Sequence, residues 1–183
     1  MPPQILGLTG LAGSGKSTVA DYLQRKHGYE RLSYAAPLKR MLMALLAESG
    51  VGPCTAAEMC YGKLKEVPHD ALAGHTPRHA LQTLGTEWGR DLIAQDLWMR
   101  ILVRKAKQLL ERGHSIVVDD LRFPNELDAL RSEGVRILCV QRPGVARMEH
   151  SSETAVLDCD GVLLNSGTLS DLQEAIEASL CSA

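Results

Sequence analysis

The apolar positions of this chain fall into short runs that alternate between two periods. Ile5-Leu6-Gly7-Leu8 is a compact apolar run that stops at a glycine-rich turn, the pattern of a buried strand. Over residues 16–27 Val19, Ala20 and Leu23 recur at helical spacing, and Gly28 stands where a C′ glycine ends a helix. Residues 31–34 are predicted as a second strand. Pro37 suits the first position of a further helix, with Leu38, Met41, Leu42 and Leu45 on one face and Gly50 after its end. Residues 50–75 carry Gly52, Pro53, Gly62, Pro68 and Gly74 and little periodicity. Apart from a capping box at Thr55-Ala56-Ala57-Glu58, they are expected to form a mobile insertion. Thr76-Pro77 then supplies N-cap and N1 to another helix, and one more spans residues 96–112, closed by Gly113.

The second half repeats the alternation. Ser115-Ile116-Val117-Val118 is a β-branched strand that ends in Asp119-Asp120. A helix is expected over 124–133, ended by Gly134, and a strand over 135–140. Arg142-Pro143-Gly144 breaks that strand and opens a polar segment running through Glu153. A last strand is expected at 161–164. Ser170-x-x-Gln173 caps a C-terminal helix with Leu172, Ile176 and Leu180 on its inner face. Strands alternating with helices imply an α/β fold, a parallel sheet covered on both sides.

Composition narrows the function classes. A chain of 183 residues with 45% apolar content builds a real core and reads as one domain over 1–183. A formal net charge of -2 leaves no basic footprint for a nucleic-acid polymer, while a small anionic ligand in a local positive pocket stays compatible. The 5 cysteines are odd in number and none are spaced Cys-x-x-Cys, which predicts free thiols in a reducing cytosol. The start lacks a basic stretch before its short apolar run, and no run reaches the roughly 18 apolar residues of a membrane helix. A cytoplasmic protein without a membrane partner is expected, with a homodimer left open.

The candidate chemistry begins at Gly10-Leu11-Ala12-Gly13-Ser14-Gly15-Lys16-Ser17, which matches Gly-x4-Gly-Lys-Ser/Thr between a predicted strand and a predicted helix. The glycines let several N–H groups converge on one anion, and the helix start adds its positive dipole end. Ala12, Gly13, Ser14, Gly15, Lys16, Ser17 and Thr18 are thereby assigned to a nucleoside triphosphate. Lys16 reaches the β- and γ-phosphates and Ser17 ligates Mg²⁺. Asp119 and Asp120 follow the end of a strand, the edge at which open α/β sheets bind ligands. A carboxylate there holds Mg²⁺ directly or through water. The residues leave open which of the two serves, and Asp119 is taken as the metal candidate. Arg122 offers a planar fork for phosphate.

Arg78 and Gln82 share a helix face, pairing an arginine for phosphate with an amide that both donates and accepts. Trp88 offers a stacking surface and Arg90 a second phosphate contact. The alternative for this stretch is an ordinary amphipathic helix with Ala80, Leu81 and Leu84 in the core. A kinase must also exclude water from its triphosphate. Arg142, Arg147, His150, Ser152 and Glu153, in the region 142–155, are candidates for a closing lid, with Arg147 taken as the catalytic arginine. His75 and His79 are four apart with Pro77 between them and no third ligand, so no metal site is expected there.

Taken together, several segments resemble the phage-type deoxynucleoside monophosphate kinases. They are Gly7-Leu8-Thr9-Gly10 into the phosphate loop, Tyr34-Ala35-Ala36-Pro37-Leu38-Lys39, and Leu81-Gln82-Thr83-Leu84-Gly85-Thr86-Glu87-Trp88-Gly89-Arg90. Asp119-Asp120-Leu121-Arg122-Phe123-Pro124-Asn125-Glu126 and His150-Ser151-Ser152-Glu153 complete the set. The resemblance implies a three-layer P-loop kinase fold with an acceptor-binding helical insertion, about 35–95, and a lid. It implies transfer of the γ-phosphoryl of ATP, with Mg²⁺, to a deoxynucleoside 5′-monophosphate. By matching position it puts Tyr34, Lys39, Arg78, Gln82, Thr86, Trp88 and Arg90 on the acceptor side, and Asp120 and Arg122 toward the reacting phosphates or the sugar. The family pattern carries an aspartate before Pro-Leu-Lys where this chain has Ala36, so no metal-water role is carried over to that position.

Three other readings compete, one of them a degenerate protein that binds nucleotide without transferring phosphate. A different small-molecule P-loop kinase, such as a dephospho-coenzyme A kinase, begins with a similar loop, but the stretch 82–90 speaks against it. A P-loop ATPase or switch module is the rival from another class. No Asp-x-x-Gly follows the Ser115 strand and no Asn-Lys-x-Asp run occurs, which disfavours a GTPase.

Overall fold

Every strand of the sheet is short and runs parallel to its neighbours. In the computed structural model, which describes residues 4–121, 130–131, 133–144 and 158–181, β1 (Ile5–Thr9) is fully buried. It is the middle of five strands. They stand in the order β2-β3-β1-β4-β5, with β2 (Glu30–Leu32), β3 (Ile116–Val118), β4 (Arg136–Gln141) and β5 (Gly161–Leu164). β1 pairs with β3 through Ile5–Ile116 and Gly7–Val118, and with β4 through Leu6–Arg136 and Thr9–Cys139. A strand buried on both faces has no reason to alternate, which is why β1 and β3 read as unbroken apolar runs.

The chain divides into two compact units, Met1–Ser33 with Leu102–Ala183, and Tyr34–Ile101. In the first, α1 (Lys16–His27) and α6 (Leu169–Cys181) pack on the sheet. Val19, Ala20 and Leu23 meet Leu6, Leu8, Val117 and Leu138 in one cluster with Leu172, Ile176 and Leu180. α1 ends at Gly28 as its sequence implies. The second unit is helical: α2 (Ala35–Glu48), α3 (Pro53–Tyr61), α4 (Pro77–Thr83) and a π-helix (Leu84–Ile93). α5 (Leu97–Glu111) contains the boundary between the units. No helix among the described residues is long and apolar enough to cross a membrane.

Several local expectations need correction. Residues 50–75 are not a mobile insertion. They form α3 and two 3₁₀ turns, Lys63–Glu66 and Asp70–Leu72, and Ala56, Met59 and Cys60 bury themselves against Leu42 and Leu46. Their apolar residues serve a short helix, too short to show a period. The Thr55 capping box does not form, because Pro53 at N1 starts α3 two residues earlier. Glu58 accepts instead from the Lys63 N–H at 3.0 Å. Pro37 is the third residue of α2, where its missing N–H is still one the helix does not use. The C-terminal helix is capped by Thr168 and Asp171 in place of Ser170 and Gln173: Asp171 accepts from the Thr168 N–H at 2.7 Å and donates its own N–H to Thr168 Oγ1 at 3.3 Å. β2 ends at Leu32, so Ser33 and Tyr34 lie past it. The helix expected over 124–133 falls mostly outside the described residues.

Candidate active site

The phosphate-loop sequence leaves the carboxyl end of β1 and enters α1 at Lys16. Sheet order reverses at β1, with β2 and β3 on one side and β4 and β5 on the other, the point where open α/β sheets place a ligand. Gly15 is the N-cap of α1 at φ 108°, a conformation that excludes a side chain there, and no acid stands in the first helical turn. The helix start therefore presents its dipole to the loop without a carboxylate competing for it. Lys16 folds back so that its ammonium donates to the Gly10 carbonyl at 2.7 Å and to the Leu11 carbonyl at 2.8 Å. Ser14 N–H closes the turn on Leu11 O at 3.1 Å. The Ser14 hydroxyl, 1% exposed, has no hydrogen-bond partner among the described residues. A buried donor left open at a loop of this shape suits an anionic ligand. Ala12, Gly13, Ser17 and Thr18 are exposed along the same loop and first turn.

The acidic edge lies one strand away, after β3. Here the two aspartates differ. Asp119 is held by Arg31 of β2 through Nε at 2.8 Å and through Nη2, while Arg31 Nη1 reaches Asp21 of α1 at 2.6 Å. Asp120 accepts from the Ser33 hydroxyl at 2.9 Å. Among the described residues no group of three or more His, Cys, Asp or Glu side chains forms a ready cation cage.

Sequence reasoning missed two residues of this region. Arg31 reads as an ordinary strand residue, and only the sheet order shows that it lies beside β3. Asn165 lies just past the end of β5, and its side-chain amide donates to the Ser14 carbonyl at 2.9 Å. Its position after a strand at the carboxyl edge was a signal that could have found it.

In the helical unit, the run Leu84-Gly85-Thr86-Glu87-Trp88-Gly89-Arg90 is wound as a π-helix, a rare form that recurs at functional sites. Two features brace it. Trp98 donates its indole N–H to the Gly85 carbonyl at 2.8 Å, and its ring lies so close to Gly89 that a Cβ there would collide with it. Trp88 is 40% exposed and lies 6.1 Å from Trp98 between ring centres. With Met41, Leu42 and Leu45 of α2 and Ala80, Thr83, Leu84, Glu87 and Leu92, it lines an open cavity of about 560 Å³. Thr76 caps α4 as expected, accepting from the His79 N–H at 3.1 Å. Arg78, on α4, pairs with Glu66 at the surface. Gln82 and Thr86 are exposed, Arg90 is half-buried, and Tyr34 is buried at the start of α2. Lys39 sits over the Tyr61 ring at 4.4 Å. The structure thus brings Trp88 to a cavity and leaves Arg78 engaged elsewhere. Arg122 and Arg147 lie outside the described residues, as does the lid segment beyond Gly144.

All five cysteines are free thiols. Burial, and then the neighbouring Cys139, push the Cys159 thiol up to about 12. His75 and His79 stack at 4.6 Å between ring centres.

Residues 49–176 match the family model described as deoxynucleotide monophosphate kinase. The chain is 32% identical over 192 residues to a protein of Acanthamoeba polyphaga mimivirus provisionally named deoxynucleotide monophosphate kinase, an alignment covering 94% of this chain and 93% of that one. It is 25% identical over 126 residues to the deoxynucleotide monophosphate kinase of Enterobacteria phage T4, covering 67% of this chain and 52% of that protein. Among solved structures, dephospho-CoA kinase from Campylobacter jejuni superposes with a TM-score of 0.52 at 10% identity, covering 97% and 96% of the two chains, a likeness of fold.

Proposed function

The chain belongs to the deoxynucleotide monophosphate kinase family, phosphotransferases with ATP as donor, and from that premise we propose how its residues divide the work. The backbone amides of 12–18 cradle the polyphosphate. Lys16 leaves the Gly10 and Leu11 carbonyls to reach the β- and γ-phosphates. Charge spreads over the transferring oxygens in the transition state, and a fixed ammonium at that point stabilises it more than it stabilises the ground state. Mg²⁺, when bound, neutralises that same charge; the Ser17 hydroxyl and the edge after β3 would hold it. The two carboxylates of that edge, Asp119 held by Arg31 and Asp120 accepting from Ser33, are the candidates for the metal or its water shell.

The acceptor falls to the region 35–95. Trp88 offers a face for the base, and Arg78, Gln82, Thr86 and Arg90, with Tyr34 and Lys39, supply the phosphate and polar contacts. Arg122 and Arg147 are proposed from the sequence alone as the arginines of the transfer step, Arg147 on a lid over 142–155. In our reading one kinase domain over 1–183 acts on free nucleotides in the cytoplasm; the phosphate loop and a net charge of -2, which leaves no basic footprint for a polymer, support the small-molecule part of it. A homodimer stays compatible with this reading.

The observation that carries the reading is the Lys16 ammonium held by the carbonyls of Gly10 and Leu11 at the start of α1, one strand from Asp119 and Asp120. A coupled ADP-release assay across the eight common ribo- and deoxynucleoside 5′-monophosphates tests it. ADP release that depends on a deoxynucleotide supports it. Release indifferent to every monophosphate contradicts it.

A further inference from the structure

Asn165 belongs to no motif of the chain, yet its side chain touches the phosphate loop. Its backbone N–H continues the β4–β5 ladder by donating to the Gln141 carbonyl at 2.7 Å, so the sheet fixes its Cα. From that anchor its amide donates to the Ser14 carbonyl at 2.9 Å, a partner 151 residues away in sequence. Ser14 itself is 1% exposed, so water has little access to replace that bond. The approach is close: a Cβ added at Gly15 would stand 2.5 Å from the Asn165 amide nitrogen. Gly15 is therefore required both by its φ of 108° and by the nearness of Asn165.

The consequence for the loop follows from peptide geometry. A trans peptide unit is planar, and its C=O and N–H point in opposite directions. When Asn165 pulls the Ser14 carbonyl toward β5, the Gly15 N–H of the same peptide is aimed the other way. We propose that Asn165 is a positioning residue for the donor nucleotide: by holding the Ser14–Gly15 peptide in one orientation, it keeps the Gly15 N–H directed at the polyphosphate. It does this from the edge strand of the sheet, without touching the reacting atoms.

This inference rests on the kinase reading of the loop, and the experiment separates the two. The full chain is compared with Asn165→Ala and Asn165→Leu; the second keeps the side-chain volume and deletes the donor. Binding of MgATP is measured by calorimetry, and the KM of the deoxynucleotide acceptor in the ADP-release assay. In both variants the dissociation constant for MgATP should rise roughly tenfold, the scale of one hydrogen bond. The acceptor KM should stay within twofold, and the thermal midpoint within a few degrees. Asn165→Asp is a poor test, because its charge alone would repel the phosphates. MgATP binding within twofold of the unmodified chain in both variants would overturn the inference. So would equal changes for donor and acceptor accompanied by a large fall in thermal midpoint. An unmodified chain that binds no MgATP would sink the kinase reading itself.

Discussion

Arg31 grips Asp119 through Nε and Nη2, and with its remaining nitrogen it reaches Asp21, so that one side chain of β2 ties α1 to the end of β3. Asp119 is only 10% exposed, and a carboxylate that far from water needs a partner. Arg31→Met, which keeps the stem and removes the charge, should lower stability by about 1–3 kcal/mol. Urea unfolding checks this. A cycle with Asp119→Asn should show that the second substitution costs much less in the Arg31→Met background, whereas additive losses would contradict the pairing.

Lys16→Ala should cut turnover by about 10²–10³ while the thermal midpoint moves by only a few degrees. Lys16 stands on a half-buried loop end, and its bonds to the Gly10 and Leu11 carbonyls are ones that water can replace. Steady-state rates with saturating ATP and deoxynucleotide, beside a melting curve, decide the point. Turnover within tenfold of the unmodified chain would remove Lys16 from the transfer step.

The acceptor assignments separate in the same assay. Trp88→Ala should raise the acceptor KM about tenfold or more, as expected when a base loses its stacking surface, and leave the ATP KM within twofold. Arg78→Ala should act in the same direction. Its surface pairing with Glu66 contributes little to stability, so a fall in stability cannot stand in for the kinetic effect. Equal rises in both KM values would take either residue off the acceptor side.

Much of this architecture is legible in the chain because local signals and tertiary demands agree. The run 5–8, the β-branched strand after Ser115 and the helix between Lys16 and Gly28 each carry their own period and stop signal, and each forms where its residues place it. The phosphate loop is legible for the same reason: glycine spacing and backbone conformation are one fact. What stayed hidden depends on partners distant in sequence. Nothing near Arg31 says that Asp119 will lie beside it, and nothing near Asn165 names Ser14. The π-helix is hidden in another way, since an α-helical period also accommodates residues 84–93, and the bracing from Trp98 comes from outside the segment.

Acidification probes a different joint. Glu177 of α6 accepts from the Tyr22 hydroxyl at 2.6 Å and meets Lys26 at 2.9 Å and His27 at 2.8 Å on α1. Those partners, Tyr22 foremost, hold its carboxyl down at about 2, against an ordinary 4.5. The folded state therefore binds this proton less readily than the unfolded chain. Its contribution is present above about pH 4.5 and is lost as pH falls toward 2. Glu177→Gln should flatten that part of the stability–pH curve. Denaturant midpoints measured from pH 2 to 7 check this, and an unchanged acid limb would contradict the assigned contact.

The most direct measurement follows the phosphoryl group itself. ATP labelled at the γ-phosphate is incubated with the full chain, Mg²⁺ and each deoxynucleoside monophosphate in turn, and the products are separated. Label recovered in a deoxynucleoside diphosphate, and absent from it with Lys16→Ala, is the predicted result. Label released only as inorganic phosphate at a rate no acceptor changes, or carried by dephospho-coenzyme A with deoxynucleotides untouched, would contradict the account.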